Sequence, residues 1–300
     1  MKYYKREAYL KKIRGFYSDA EIIKVITGVR RCGKSSLMQT IAQEIQEGGV
    51  PSENIIYFDL DKRGFRNIKT SESLEKLIHD NASAEGLKYL FIDEIQNVKG
   101  FEEVLNEYRT DGDFSIFITG ANSYLLSGEL VIKLTGRYIE FELFPLNFSE
   151  YLGMKEFFKK EINPNITQEF DNYLIEGGFP KAVQYDSLAD KKTYIASVIS
   201  EIFEKDIKRR VKIRNVSVFQ KVQRFLINNF GATTSLSNML ELLEKDGTKI
   251  KRETLNRYIQ VLCDAKILYE CNRFDLKSKK SVAGEKKYYL SDLGFYYATN

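Results

Sequence analysis

Short apolar runs along the chain alternate with longer segments in which apolar residues recur every three to four positions. That is the pattern of buried strands alternating with amphipathic helices. Five runs read as strands: 22–26 (IIKVI), 54–60 (NIIYFDL), 89–95 (YLFIDEI), 114–120 (FSIFITG) and 138–144 (YIEFELF). Between them the periodicity predicts a helix to Glu47 with Leu37, Met38, Ile41, Ala42 and Ile45 on one face, then Ser71–Asn81, Phe101–Asp111 and a short helix at Ser123–Leu134. Ser71 is the expected N-cap of the second, with Glu72 in its first turn. The expectation is an α/β domain over residues 1–146: a parallel sheet with helices on both faces.

Pro145 ends the last of these strands, and the pattern over 147–214 is helical, broken by the turn Gly177-Gly178-Phe179-Pro180. Tyr194 to Arg210 reads as one long amphipathic helix whose basic tail, Lys205-Asp206-Ile207-Lys208-Arg209-Arg210, is expected to be solvated. From 215 to 300 the elements are a helix from Val216 to Phe230, a second at Leu236–Lys245 and a third at Lys251–Ala265. Two strand-like pieces follow, Ile267–Phe274 and Lys286–Leu290, flanking the basic loop Lys277-Ser278-Lys279-Lys280. Three helices and a basic hairpin make a winged helix. Leu255, Ile259 and Leu262 of the third helix would face the core, leaving Arg252, Asn256, Arg257 and Gln260 outward as candidates to read base edges. Lys279 and Lys280 suit backbone phosphates. A module used only for packing or protein contact is the alternative.

The chemistry is concentrated between the first strand and first long helix, where Gly28-Val29-Arg30-Arg31-Cys32-Gly33-Lys34-Ser35 fits GxxxxGK[ST] in the strand–loop–helix context that motif requires. Gly28 and Gly33 let the backbone curl so that N–H groups face a phosphate. Lys34 supplies charge near the β- and γ-phosphates, Ser35 offers a hydroxyl to Mg²⁺, and the helix N-terminus adds its dipole. The run YLFIDEI then ends a buried strand in two carboxylates, Asp93 for the Mg²⁺ shell and Glu94 to orient or deprotonate the attacking water. Thr119-Gly120-Ala121-Asn122-Ser123 emerges at the same sheet edge. Asn122 is a candidate to sense the γ-phosphate or hold the water, with a simple turn or cap as the alternative. Arg137 is a candidate to stabilise transition-state charge, within its own subunit or across an interface, or is a plain surface arginine. Arg6 and Tyr9, in a short charged N-terminal helix, are expected beside the nucleotide or against the sheet.

Composition narrows the setting. With 300 residues, 43% of them hydrophobic and 29% charged, the chain has ample material for a core, and a folded rather than disordered chain is expected. No apolar run reaches the length of a membrane-spanning helix, and the start MKYYKREAYLKKIRGFY lacks a signal peptide's apolar centre, so a cytoplasmic location is expected. Three cysteines, Cys32, Cys263 and Cys271, lack metal-ligand spacing and agree with a reducing compartment. Cys32, inside the phosphate loop, is either made oxidation-sensitive by nearby cations or is a small residue that fits. The single histidine, His79, lies in a helical pattern. Residues 201–300 hold 20 Lys and Arg against 12 Asp and Glu, a net of +8, so the first 200 residues carry −4.

Taken together, GVRRCGKSS, YLFIDEIQNV, FITGANSYLLSG, LTGRYIEFELFPLNFSEYL and EGGFPKAV resemble one family, the prokaryotic AAA-type P-loop ATPases that resemble archaeal ATPases and carry an uncharacterised C-terminal region. The resemblance covers essentially the whole chain. It implies ATP binding through Gly28, Gly33, Lys34, Ser35 and Ser36, with Asp93 and Glu94 as metal and water residues, and a helical lid over 147–214 before the winged helix. Arg30, Arg31 and Cys32 complete the nucleotide loop, the arginines as candidate phosphate clamps. Longer relatives continue beyond the segment matching Tyr288–Gly294 into a nuclease-like lobe, whereas this chain stops at Asn300, so truncation or absence of that lobe is expected and no nuclease activity is inferred. Ala121-Asn122 stands where relatives often have serines. The leading expectation is a Mg²⁺-dependent ATPase whose nucleotide state moves lid and winged helix, reporting to DNA, a protein partner or another copy. The alternatives are a slow-turnover ATP/ADP switch acting as a protein scaffold, and a DNA-binding regulator in which ATP is structural.

Overall fold

The computed structural model describes residues 3–120, 134–208, 211–275 and 280–300. They form two compact units, one of residues 1–28 and 32–144, the other of residues 29–31 and 145–300.

The first unit is built on a five-stranded parallel sheet of β1 (Ile23–Thr27), β2 (Ile55–Asp59), β3 (Lys88–Asp93), β4 (Phe114–Thr119) and β5 (Tyr138–Glu142), in the order β2-β3-β4-β1-β5. Its helices among the described residues include α1 (Glu7–Ile13), α2 (Lys34–Glu47), α3 (Ser71–Asn81) and α4 (Phe101–Asp111). Each of β1, β3 and β4 is buried along its whole length, as strands covered on both faces must be. On one face Ile23, Val25, Leu90, Ile92, Ile116 and Ile118 pack with Leu74 and Ile78 of α3 and Val104 and Leu105 of α4. On the other, Tyr57, Phe91 and Phe117 stack across three strands with centroids 5.8 and 4.7 Å apart. The buried Lys24 ammonium closes that row 4.6 Å from the Phe117 ring, donating to Asp19 O and Ser115 Oγ at 2.5 and 2.8 Å. The cap of α3 is Thr70, one residue before the expected Ser71. Thr70 accepts from the Ser73 N–H while Ser73 Oγ accepts from the Thr70 N–H, a reciprocal box.

In the second unit α5 (Phe148–Phe157), α6 (Ile166–Glu176) and α7 (Leu188–Glu201) precede α8 (Val216–Asn228), β6 (Thr233–Thr234), α9 (Leu236–Lys245), α10 (Arg252–Asp264), β7 (Leu268–Asp275), β8 (Lys280–Leu290) and α11 (Gly294–Thr299). The strands form an antiparallel sheet in the order β6-β8-β7. The single helix expected over 194–210 is instead α7 followed by a π-helical turn, Ile202–Ile207, in which the Lys208 N–H reaches back five residues to Phe203 O. The stretch expected to be a solvated tail is only partly so: Asp206 and Ile207 are buried, Lys205 is half-buried and Lys208 is exposed. Arg209 and Arg210 lie outside the described residues, as do Lys277, Ser278 and Lys279, whereas Lys280 opens β8 six residues before the expected strand.

The Gly177-Gly178 turn is fixed by Asp292, whose carboxylate accepts the Gly178 N–H at 2.6 Å and the Gly294 N–H at 2.8 Å. A side chain at Gly177 would run into that carboxylate, and one at Gly178 into the Leu146 carbonyl. Burial pushes the Asp292 carboxyl up to about 7 against the opposing pull of the two N–H donors.

Candidate active site

β1 ends at Thr27 and α2 begins at Lys34, so the glycine-rich loop leaves the carboxyl edge of the sheet and enters a helix of 14 residues. Gly28 and Gly33 take φ of 140° and 106°, and a Cβ at Gly28 would run into the Leu143 carbonyl oxygen. Only glycine fits that approach. The helical ladder starts with Leu37 N–H to Gly33 O, placing Lys34, Ser35 and Ser36 at the positive end of the helix dipole. Lys34 is buried with its Nζ turned back on Gly28 O at 3.0 Å, while Ser35 and Ser36 are exposed.

Asp93 is the last residue of β3, its side chain hydrogen-bonded by the hydroxyls of Ser35 and Thr119. β4 lies between β3 and β1, and Thr119, opposite Ile26 on β1, therefore stands between the loop and the acid. Burial raises the Asp93 carboxyl above its ordinary value; the Ser35 and Thr119 hydrogen bonds pull the other way. The Thr119 hydroxyl also accepts the Glu94 N–H at 3.1 Å, so one side chain holds both consecutive acids. Glu94 itself sits at φ 60°, and the Gln96 carboxamide donates to its Oε2. The oxygens of Ser35 and Asp93 suit Mg²⁺, which prefers hard donors and leaves the rest of its shell to water and phosphate. No group of three or more His, Cys, Asp and Glu that could hold a metal ion is found among the described residues.

The N-terminal segment braces this loop. Arg6 is buried and donates to Cys32 O at 3.3 Å and Phe144 O at 2.7 Å, with its guanidinium 4.6 Å from the Tyr9 ring; Tyr9 Oη accepts the Phe144 N–H. Cys32 is fully buried against Leu143 O, and burial raises its thiol pKa. It is the small residue that fits, and the idea of an activated thiol is corrected.

Val29–Arg31 belong with residues 145–300 as one compact unit. Within it Arg30 makes a two-pronged pair with buried Asp206, both bonds 2.8 Å, and Arg31 a similar pair with Glu201 at 2.8 and 2.9 Å. Burial pushes the Glu201 carboxyl up, but hydrogen bonds from Arg31 and Lys205 outweigh it and hold the group at about 2. Neither acid was singled out from the sequence; the π-helical turn that delivers Asp206 carries no composition signal.

Arg137 immediately precedes β5, which runs parallel to β1 with Tyr138 opposite Ile23. It lies at the amino edge of the sheet, donating to Asn106 Oδ1 at 3.0 Å, a strand's length of roughly 16 Å from the phosphate loop. The expected role within its own subunit is thereby corrected. Asn122 lies outside the described residues, as do Lys279 and the Lys280 side chain. On α10, Leu255, Ile259 and Leu262 are buried, and Arg252, Asn256, Arg257 and Gln260 are exposed together. Arg252 donates to Ser237 Oγ at 3.4 Å and Gln260 to Asp264 at 2.9 Å.

Comparison with known proteins bears on all of this. A family model described as AAA domain matches residues 20–152, and one described as a domain of unknown function (DUF8612) matches residues 167–300. An uncharacterized protein of Haemophilus influenzae is 32% identical over 291 residues, covering 96% of this chain and 72% of that protein. An uncharacterized protein of Methanocaldococcus jannaschii is 34% identical over 295 residues, 94% of this chain and 65% of the relative. The solved structure of a Walker-type ATPase of Pyrococcus abyssi superposes with a TM-score of 0.65 at 16% identity, over 99% of this chain and 95% of that one. At that identity the likeness is one of fold. No described helix is long and apolar enough to cross a membrane.

Proposed function

The chain belongs to the prokaryotic AAA-type P-loop ATPases with an uncharacterised C-terminal region, and from that premise we propose that it binds ATP with Mg²⁺ and hydrolyses it to ADP and phosphate. The observation that carries the proposal is the meeting of Ser35 and Asp93 beneath a loop too tight at Gly28 for any side chain. In this reading the N–H groups of the loop and of Lys34–Ser36 receive the phosphates, and Lys34 exchanges its bond to the Gly28 carbonyl for phosphate oxygen. Ser35 and Asp93 would hold Mg²⁺, which would supply charge neutralisation on the phosphates. Glu94 orients the attacking water and takes its proton. Asn122 remains a candidate for the γ-phosphate, and Arg137 for a second subunit's site. Lys34→Ala should abolish nucleotide binding, and Glu94→Gln should preserve binding while stopping turnover. Unaltered hydrolysis by the Glu94 variant would remove its role, and calorimetric silence toward ATP in folded protein would remove the whole reading.

For residues 215–300 we propose a winged helix. The element order α8-β6-α9-α10-β7-β8 and the antiparallel sheet support it, and the exposed face Arg252, Asn256, Arg257 and Gln260 supports duplex DNA as a partner. Neutralising Arg252 and Arg257 together should weaken DNA binding and flatten its salt dependence; unchanged affinity and slope would exclude this face. The second reading is a slow-turnover switch that scaffolds proteins; the pairs of Arg30 with Asp206 and Arg31 with Glu201 engage the two guanidiniums that it would place on the phosphates. Retained ADP after purification and turnover indifferent to DNA would select it.

A further inference from the structure

The acid that would activate water is held by more than its backbone. Glu94 opens a 3₁₀ turn, Ile95–Asn97, from a left-handed conformation that non-glycine residues seldom adopt. Thr119 fixes its N–H, and the Asn97 N–H closes the turn on the Glu94 carbonyl at 3.1 Å. These bonds set the direction in which the side chain leaves the main chain. They leave its three side-chain torsions open, and a glutamate with mobile torsions sweeps its carboxylate through several ångströms.

The turn brings Gln96 back over that side chain, and its Nε2 donates to Glu94 Oε2. A carboxamide has two ends of opposite character. With nitrogen on the carboxylate, Gln96 Oε1 faces inward, is buried and meets no donor among the described residues. Leaving a buried acceptor unmatched costs free energy, and a surface glutamine with no task would turn that oxygen to water. The arrangement sacrifices one end of the amide to keep the other on Glu94.

We propose that Gln96 is a positioning residue for hydrolysis, holding the Glu94 carboxylate in the one orientation from which it activates water. The inference rests on the ATPase reading and adds to it a residue that neither the loop motif nor the paired acids specify. A neutral donor suits the task, because it orients the carboxylate without the full charge that would suppress its basicity. Gln96 does not touch nucleotide in this scheme, so its removal leaves binding alone and slows the chemical step.

The test uses Gln96→Ala and Gln96→Met, the second keeping the length of the side chain without its donor. With folding verified by thermal melting, each should lower kcat by on the order of 10-fold, the loss of one hydrogen bond that orients the carboxylate. KM for ATP and affinity for a non-hydrolysable ATP analogue should stay within about two-fold, since no binding contact is removed. An unchanged kcat overturns the proposal. So does a raised kcat, which would make the contact a restraint, and so does a parallel loss of analogue affinity, which would make Gln96 a support for the loop. Wild-type protein that binds ATP without turning it over refutes the hydrolytic reading as well, whereas normal wild-type turnover beside unaffected variants refutes the role of Gln96 alone.

Discussion

Asp292 couples two distant glycine turns through a carboxylate buried inside the C-terminal unit, and its titration should be visible in the stability of that unit. The group is pushed from 3.8 to about 7 by burial, with the Gly178 and Gly294 N–H donors opposing. The native state therefore holds a proton on this carboxyl where the unfolded chain has released it. Its stabilising contribution is full below about pH 4 and is lost as pH rises through 7. A displacement of about three pH units at 1.36 kcal/mol each makes the total about 4 kcal/mol. Asp292→Asn removes the titration while keeping one acceptor oxygen. Urea unfolding of wild type and variant, followed by circular dichroism from pH 4 to 8, isolates the effect, because every other carboxylate cancels in the difference. The advantage of wild type over variant should shrink by about 1.4 kcal/mol per unit from pH 4 to 7 and level off between 7 and 8. Parallel curves would refute the reasoning and mean that the two N–H donors fully compensate burial.

Lys24 gives the opposite sign. Burial pulls its ammonium down to about 7, so wild type should gain on Lys24→Met as pH rises from 7 to 10, by about 1.4 kcal/mol per unit, measured in the same way. Gly28→Ala should lose nucleotide binding in calorimetry and melt at lower temperature, by the equivalent of at least about 2 kcal/mol, because the new methyl meets the Leu143 carbonyl. Asp206→Ala should cost up to about 3 kcal/mol in chemical denaturation by removing both hydrogen bonds from the buried Arg30 guanidinium, which keeps Glu201 3.8 Å away. Glu201→Ala should cost under about 1 kcal/mol, since Arg31 is 53% exposed and recovers water.

What the sequence disclosed and what it withheld follow one physical division. Strands covered on both faces announce themselves as apolar runs, which is why β1, β3 and β4 were legible. Helices with one wet face announce themselves by period, so the sequence alone assigns Leu255, Ile259 and Leu262 inward and Arg252, Asn256, Arg257 and Gln260 outward. Pairings made across long stretches of chain have no such local signature. Nothing near Asp206 marks it as the partner of Arg30, because a π-helical turn rotates it inward, and nothing near Asp292 marks it as the partner of Gly178. Arg137 is a different case, for its location could have been deduced. In a parallel sheet, residues that follow a strand gather at one edge and residues that precede a strand gather at the other. Asp93 and the phosphate loop follow β3 and β1; Arg137 precedes β5. The rule that correctly brings Ser35 to Asp93 also separates Arg137 from both, so any contact it makes with a reacting phosphate must come from a second copy of the chain.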